Sequence, residues 1–269
     1  MNNIKLLLKV AAALLKNPKS LIRVIDEEST FKDYLVKKFG HEHALPAIDL
    51  LELFPDFEEA VQPYSFLEGA SPSVDLAVLK ALARRYSPCR YLEIGSWRGE
   101  SLANVASVAE ACVSISLSEK EMRQAGLSEA FIKTHRVFSQ SLKNVTHLGH
   151  NSQTFDFSSL GKKFDLIFID GDHSYESVKI DTQNAFALLQ DEQAVIVWHD
   201  YGFTPETVRW SVLAGILDGC PPEKRNHLYQ VSNTLCAIYL NGKFKTSHTS
   251  FPQIPNKSFT VKISATKIN

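Results

Sequence analysis

The sequence predicts an α/β fold: a mainly parallel sheet with helices on both faces, a helical appendage in front of it and an antiparallel hairpin at its end. Two observations carry this expectation. From about residue 61 onward, short and continuously apolar runs alternate with helical stretches. A run that is apolar at every position belongs to a strand covered on both faces, which is the environment of a parallel sheet. Near the end, runs at 227–231 and 234–240 are separated by only Ser232 and Asn233. So short a link suits an antiparallel hairpin and cannot hold a parallel crossover.

Taken in order, residues 1–60 show helical periodicity broken at Asn17-Pro18, at Gly40 and at Phe54-Pro55, with no run that reads as a strand. They form the expected appendage. The main domain is expected over 61–242, with strands at 90–95 (RYLEIG), 112–117 (CVSISL), 145–148, 164–170 (FDLIFID) and 194–199 (AVIVWH). Helices are expected at 74–86, 101–111, 119–133 and 175–190. In the last of these, Val178, Thr182, Ala185, Phe186 and Leu189 follow three-and-four spacing and make one buried stripe. Residues 243–269, with Pro252 and Pro255, read as a polar C-terminal tail.

At 269 residues the chain is long enough to bury a large core without disulfide or metal staples. Lys+Arg 29 against Asp+Glu 30 leaves a formal net charge of -1, with no long basic block, so no nucleic acid is expected as a principal partner. Cys89, Cys112, Cys220 and Cys236 form no C-x-x-C pair and read as packed thiols in a reducing compartment. The apolar stretch 4–15 is split by Lys9 and is shorter than the roughly 20 residues a spanning helix needs, so a cytoplasmic protein is expected. Before Asp26 every charge is positive, among leucines at helical spacing. Such a face can lie on a membrane surface or pack on the main domain or on a second copy of the chain, and packing on protein is preferred because it is what most amphipathic helices do.

In an open parallel sheet ligands sit beyond the carboxyl ends of the strands, so chemistry is sought just after each strand. The first motif is Glu93-Ile94-Gly95-Ser96-Trp97-Arg98-Gly99-Glu100-Ser101. Gly95 lets the chain turn sharply and brings backbone close to a ligand, while Gly99 and Ser101 open a helix whose free N–H groups favour an anionic group. It lacks the G-x-G-x-x-G pattern, which disfavours a dinucleotide. The second is Phe168-Ile169-Asp170-Gly171-Asp172-His173. Two carboxylates and an imidazole at one strand end are costly to desolvate, which points to a metal, a substrate cation or proton transfer. The competing reading is an Asx turn or helix cap, which needs only one of these residues. The third is Val197-Trp198-His199-Asp200-Tyr201, after the neighbouring strand. Asp170 and Asp200 should therefore approach each other. Paired acids suit a hard cation such as Mg²⁺, and His199 a softer one such as Mn²⁺, Fe²⁺ or Zn²⁺, unless it is held inside its loop.

Together Y-L-E-I-G-S-W-R-G-E-S, F-I-D-G-D-H-S-Y and V-W-H-D-Y, in this order and spacing, resemble class I S-adenosylmethionine-dependent methyltransferases. The branch most resembled holds the catechol O-methyltransferase-like and macrocin-type O-methyltransferases, over about residues 66–240. The resemblance implies a Rossmann-like sheet of seven strands, one of them antiparallel, supplied by the final hairpin. It implies S-adenosylmethionine as cofactor, with Mg²⁺ or another divalent cation beside it. Gly95, Trp97, Gly99 and Ser101 would line the methionine end, braced by Glu93; Asn151 and Ser152 would edge the adenine. Asp170, His199 and Asp200 match the metal position, Asp170 also facing the cofactor, and His173 or Asp172 matches the general base. One departure stands out. The acid expected to hold the ribose is replaced by Ser116-Leu117-Ser118, leaving Glu119, or backbone and serine, for that task.

The implied reaction is transfer of a methyl group to a hydroxyl of a small molecule or glycan. The enzyme must align acceptor with donor and make a poor nucleophile reactive, through a cation and a base. His173 is preferred as the base because an ionised Asp172 would be drawn to the metal. Two other classes compete: a non-catalytic relative that keeps the fold and binds a partner, and a metal-dependent oxygenase or hydrolase on the same sheet.

Overall fold

The computed structural model describes residues 27–267. The expectations for the chain before residue 27, including the apolar stretch 4–15 and its partner, lie outside the described residues. Among the described residues no helix is long and apolar enough to cross a membrane.

One mixed sheet organises the molecule. Its strands are β1 (Ala47–Ile48), β2 (Arg90–Ile94), β3 (Ala111–Ser116), β4 (Val145–Gly149), β5 (Leu166–Ile169), β6 (Val195–Trp198), β9 (Leu228–Val231), β10 (Ala237–Tyr239) and β11 (Thr246–Ser247). A separate small hairpin, β7 (Gly202–Thr204) with β8 (Thr207–Val208), lies between β6 and β9 in sequence. The order across the main sheet is β11-β1-β9-β10-β6-β5-β2-β3-β4. The β6-β5-β2-β3-β4 block is parallel throughout, and β10 runs antiparallel to both β6 and β9. This is the predicted mainly parallel sheet with its closing hairpin, and the strand at 164–170 is central as expected.

The strand count differs from the predicted seven. The sheet has nine strands because β1 adds in parallel to β9, and β11 adds antiparallel to β1. Residues 47–48 thus correct the expectation that nothing before residue 60 forms a strand. Two-residue strands carry no readable period, and only the edge of β9 makes them strands.

Alternation along each strand divides the core in two. Leu92, Ile94, Val113, Ile115, Ile167, Ile169, Ile196 and Trp198 face one side, where α1 (Glu27–Phe39), α7 (Tyr175–Leu188) and α8 (Trp210–Gly219) pack. Tyr91, Cys112, Leu166, Phe168, Val195 and Val197 face the other, against α2 (Leu50–Leu53), α3 (Ser73–Ala83) and α4 (Glu100–Ala106). With both faces covered, most strand residues are apolar, which is why the runs showed no alternation.

Two helical expectations change. The stretch 119–133 is two helices, α5 (Glu119–Gln124) and α6 (Glu129–Thr134), parted at Gly126 (φ +82) and restarted by the Ser128 cap. Helix α8 was not expected at all: seven of its apolar and small residues from Val212 to Gly219 are buried, so it presents no polar stripe to mark its period. The four cysteines are free and buried, and burial pushes the Cys89 and Cys112 thiols up to about 12.

Candidate active site

The first wall of the site is the turn after β2. Gly95 has φ +90, and a Cβ there would stand 2.3 Å from the carbonyl oxygen of Asp170 and 2.5 Å from Gly171 Cα. The strand end can therefore turn only with a residue that lacks a side chain. This alters the sequence-based reason for Gly95: the obstacle to a side chain is the neighbouring strand end as well as a ligand. Gly99 (φ +82) caps α4, and a Cβ there would meet Ser139 Oγ at 2.3 Å, so this glycine serves packing against the loop before β4.

Glu93 is fully buried behind the turn. It accepts hydrogen bonds from Tyr91 Oη at 2.7 Å and from Ser101 Oγ at 3.0 Å, which ties β2 to the first turn of α4. Burial raises its carboxyl to about 8, against the opposing effect of these hydroxyl donors. Trp97 projects the other way: its ring stacks on Phe131 at 4.6 Å and 15°, carries the Arg98 guanidinium 4.2 Å above it, and donates from Nε1 to Thr134 Oγ1 at 2.7 Å.

These elements border a cleft of about 740 Å³ at the carboxyl ends of the parallel strands. Of the residues expected at a cofactor, Gly95, Trp97, Asn151, Ser152 and Asp170 line it. Glu93, Gly99 and Ser101 are not on its wall; they are the supports on which the turn is built. Leu117, Met122, Leu127 and Phe131 give one side of the cleft an apolar surface suited to a flat aromatic group.

At the far end, the Asn151 N–H donates to Glu121 Oε1 at 3.1 Å, and Glu121 also closes a capping box with Ser118. Gln153, which the sequence reading did not single out, lines the cleft and donates from Nε2 to Asp181 Oδ1 at 3.3 Å. Asp181 is buried, its Oδ2 has no partner, and desolvation raises its carboxyl to about 7. Ser116 stands where an acid was expected. It receives Arg136 Nη2 at 3.1 Å and lies 3.1 Å from His135 Nε2. Burial lowers His135 to about 4, so the ring is neutral. Glu119 is no substitute here: it pairs with Arg123 at 3.1 Å and is not on the cleft wall, whereas Ser116 is.

The acidic centre follows from strand register. Ile169 of β5 pairs with Trp198 of β6, so Asp170 and His199 emerge side by side. His199 Nδ1 lies 3.1 Å from Asp170 Oδ1 and 3.2 Å from Asp200 Oδ2. His173 Nε2 reaches Asp200 Oδ2 at 2.9 Å, and Arg209 stands 3.8 Å from the other oxygen. Asp200 adopts φ +54, a backbone state uncommon outside glycine and asparagine, which turns its carboxylate toward the two imidazoles. Burial alone would raise the Asp200 pKa, but His173 and His199 outweigh it and hold the carboxyl well below the usual range. Burial likewise opposes charge on His199, yet Asp170, Asp200 and Asp75 hold its pKa well above that of an ordinary histidine.

One atom from each of Asp170, His199 and Asp200 lies within 4.8 Å of the other two, a set able to hold a cation. Among the described residues neither ring nitrogen of the buried His199 makes an aligned hydrogen bond; Nδ1 faces Asp170 and Asp200, and Nε2 faces Asp75. Asp172 behaves otherwise. Its Oδ1 accepts from the Ser174 N–H at 2.9 Å and its Oδ2 faces the Ser174 and Ser177 hydroxyls at 3.2 Å, so it is the turn that opens α7. The fourth carboxylate of the group, Asp75 of α3, carried no motif. Only the packing of α3 against the β9–β10 connection brings its Oδ2 to 3.2 Å from His199 Nε2.

Residues 92–201 match the family model described as a methyltransferase domain, a span that begins in β2 and ends just after Asp200. Residues 92–201 of the chain thus read as a methyltransferase domain. Among solved structures, this methyltransferase domain is similar to cofactor-bound Rv0187 from MTB, with 22% identity over 65% of this chain and 82% of that one, at a TM-score of 0.46. It is similar to the O-methyltransferase TomG from Streptomyces achromogenes, solved with SAM, with 17% identity over 64% and 82% and a TM-score of 0.44. It is also similar to CalS11, a TDP-rhamnose 3′-O-methyltransferase, with 14% identity over 63% and 80% and a TM-score of 0.40. No curated protein matches the chain in sequence.

Proposed function

We propose that this methyltransferase acts on a hydroxyl group of a small molecule or glycan, with a divalent cation at Asp170, His199 and Asp200 and His173 as the base. The observation that supports this reading is the convergence of those four side chains on one end of the cleft whose other end is bordered by the Gly95 turn and the 150–153 loop. The division into a catalytic domain over 61–242, an N-terminal appendage and a C-terminal tail belongs to the same proposal.

The cofactor supplies an electrophilic methyl group, and the cation lowers the pKa of an acceptor hydroxyl. The protein's own residues do the rest. Gly95 lets backbone approach the ligand, and Trp97 with Phe131 closes that side of the cleft in a fixed stack. Asn151, Ser152 and Gln153 would offer amide and hydroxyl groups to the polar edge of the adenine, and Ser116, which accepts from Arg136, would be the cleft group available to the ribose. At the other end His173 is fixed to Asp200 at 2.9 Å, which orients its ring and stabilises the charge it gains on taking a proton. Asp172, committed to its turn, is left out of this role.

Thermal shift with S-adenosylhomocysteine tests the cofactor, since a ligand specific for the folded state must raise the melting temperature. With a panel of hydroxyl acceptors, activity should fall in EDTA, return with Mg²⁺ or Mn²⁺, and be lost in Asp200→Ala while cofactor affinity is largely kept. The His173–Asp200 pair favours one alternative: full turnover in metal-free protein would leave this pair as a base that works without a cation, and the acceptor-activating role of Asp170 would be gone.

A further inference from the structure

Asp75 reaches the acidic centre from an element that none of the motifs includes. It stands in the first turn of α3, is 0% exposed, and has no Lys or Arg partner among the described residues; its ion pair is with His199, Oδ2 to Nε2 at 3.2 Å. The same oxygen accepts from the Leu235 N–H at 3.2 Å and faces the Cys236 thiol at 3.6 Å, which pins the carboxylate from the β9–β10 connection. A carboxylate this deep is costly unless positive or N–H groups answer it; the Leu235 N–H is one, and His199 is its charged partner.

An imidazole offers two nitrogens, and the one that keeps its proton decides which is left to bind. At His199 the two face different ways: Nε2 toward Asp75, Nδ1 toward Asp170 and Asp200. We propose that Asp75 is a positioning residue for His199, holding Nε2–H so that the Nδ1 lone pair points at the cation site between Asp170 and Asp200. The inference rests on the cation reading above. A carboxylate in place of His199 would need no such partner, because either of its oxygens can ligate; a histidine does, since the other tautomer would aim Nδ1–H at the metal.

Mn²⁺ affinity by electron paramagnetic resonance and S-adenosylhomocysteine affinity by calorimetry test it on the full chain. Asp75→Ala should weaken Mn²⁺ roughly 10- to 100-fold, as loss of a partner behind a ligating histidine does, with Asp75→Asn weaker in effect because its amide oxygen still accepts; S-adenosylhomocysteine affinity should change far less. In a His199→Asn background the Asp75 substitutions should no longer alter Mn²⁺ affinity. An equal loss in both backgrounds means that Asp75 acts only by holding Leu235 and Cys236, and overturns the proposal. Wild-type protein that binds S-adenosylhomocysteine but no Mn²⁺ overturns the cation reading and this inference with it, whereas Asp75 variants that bind Mn²⁺ as wild type does overturn the inference alone. Should the variants not fold, long-range proton–nitrogen spectra of Mg²⁺-loaded wild type decide: His199 protonated at Nε2 supports the proposal, and protonation at Nδ1 ends it.

Discussion

Gly95 shows how much one missing side chain supports. With φ +90 and the Asp170 carbonyl 2.3 Å from the place of a Cβ, even alanine must move the end of β5. Gly95→Ala is therefore expected to lower the melting temperature by several degrees and to weaken S-adenosylhomocysteine binding together with it; unchanged melting would mean the turn is looser than its geometry. Glu93 makes a second expectation, in pH. Its folded-state pKa of about 8 lies above the ordinary glutamate value of 4.5, so the folded protein binds a proton that the unfolded chain has released. Stability is then fully present below about 4.5 and declines as pH rises through 8. Asp181, raised to about 7, adds a decline of the same sign. Melting curves between pH 5 and 9 should fall, and Glu93→Gln should flatten the alkaline part of that fall. A slope unaltered by the substitution would assign the effect to other groups.

At the scale of elements, α1 is joined to the domain through its carboxylates and rings. Glu28 accepts from the backbone N–H groups of Trp210 and Ser211 and from the Ser211 hydroxyl, supplying the cap that Arg209 does not give α8. Farther along α1, Tyr34 and Lys38 converge with Tyr175 on Asp218, at the other end of α8. Glu28→Ala should cost about 1 kcal/mol, the usual loss for a cap, and hydrogen exchange should quicken at residues 210–213 before it does in β5. Exchange unchanged there would show that α8 is held by its buried face alone. The division of the 119–133 stretch belongs to this scale too, because a second capping serine three residues before Phe131 restarts the helix and turns that ring onto Trp97.

For the whole molecule, the nine-stranded sheet closes one edge with segments from both ends of the chain. β11 covers β1, Lys257 pairs with Asp49 at 2.7 Å, and Thr249 donates to Gln230 at 3.3 Å. An uncovered strand edge invites pairing with another chain. Removal of residues 243–269 should leave S-adenosylhomocysteine affinity nearly intact, since no described residue of that segment lines the cleft, while light scattering on heating rises. Loss of cofactor affinity in the truncated chain would mean that this edge reaches the site after all.

The sequence by itself determined the α/β class, the strands of the parallel block and the hairpin, because strands buried on both faces are apolar at most positions and turn residues have to stand at their ends. It also marked Asp170, His173, His199 and Asp200, since polar residues directly after such runs have few other reasons to be there. Tertiary structure decided the rest. β1 and β11 are strands only beside β9, and α8 hides its period because it is buried nearly all round. Asp172, identical in type to its neighbours, was sorted from them by two serines that only the start of α7 brings within reach. Asp75 lies 124 positions before His199 in the chain, and no local pattern records a contact made by packing a helix under a sheet. Residues within one turn or strand end announce their chemistry; a partner supplied by a distant element becomes visible only once the fold has placed it.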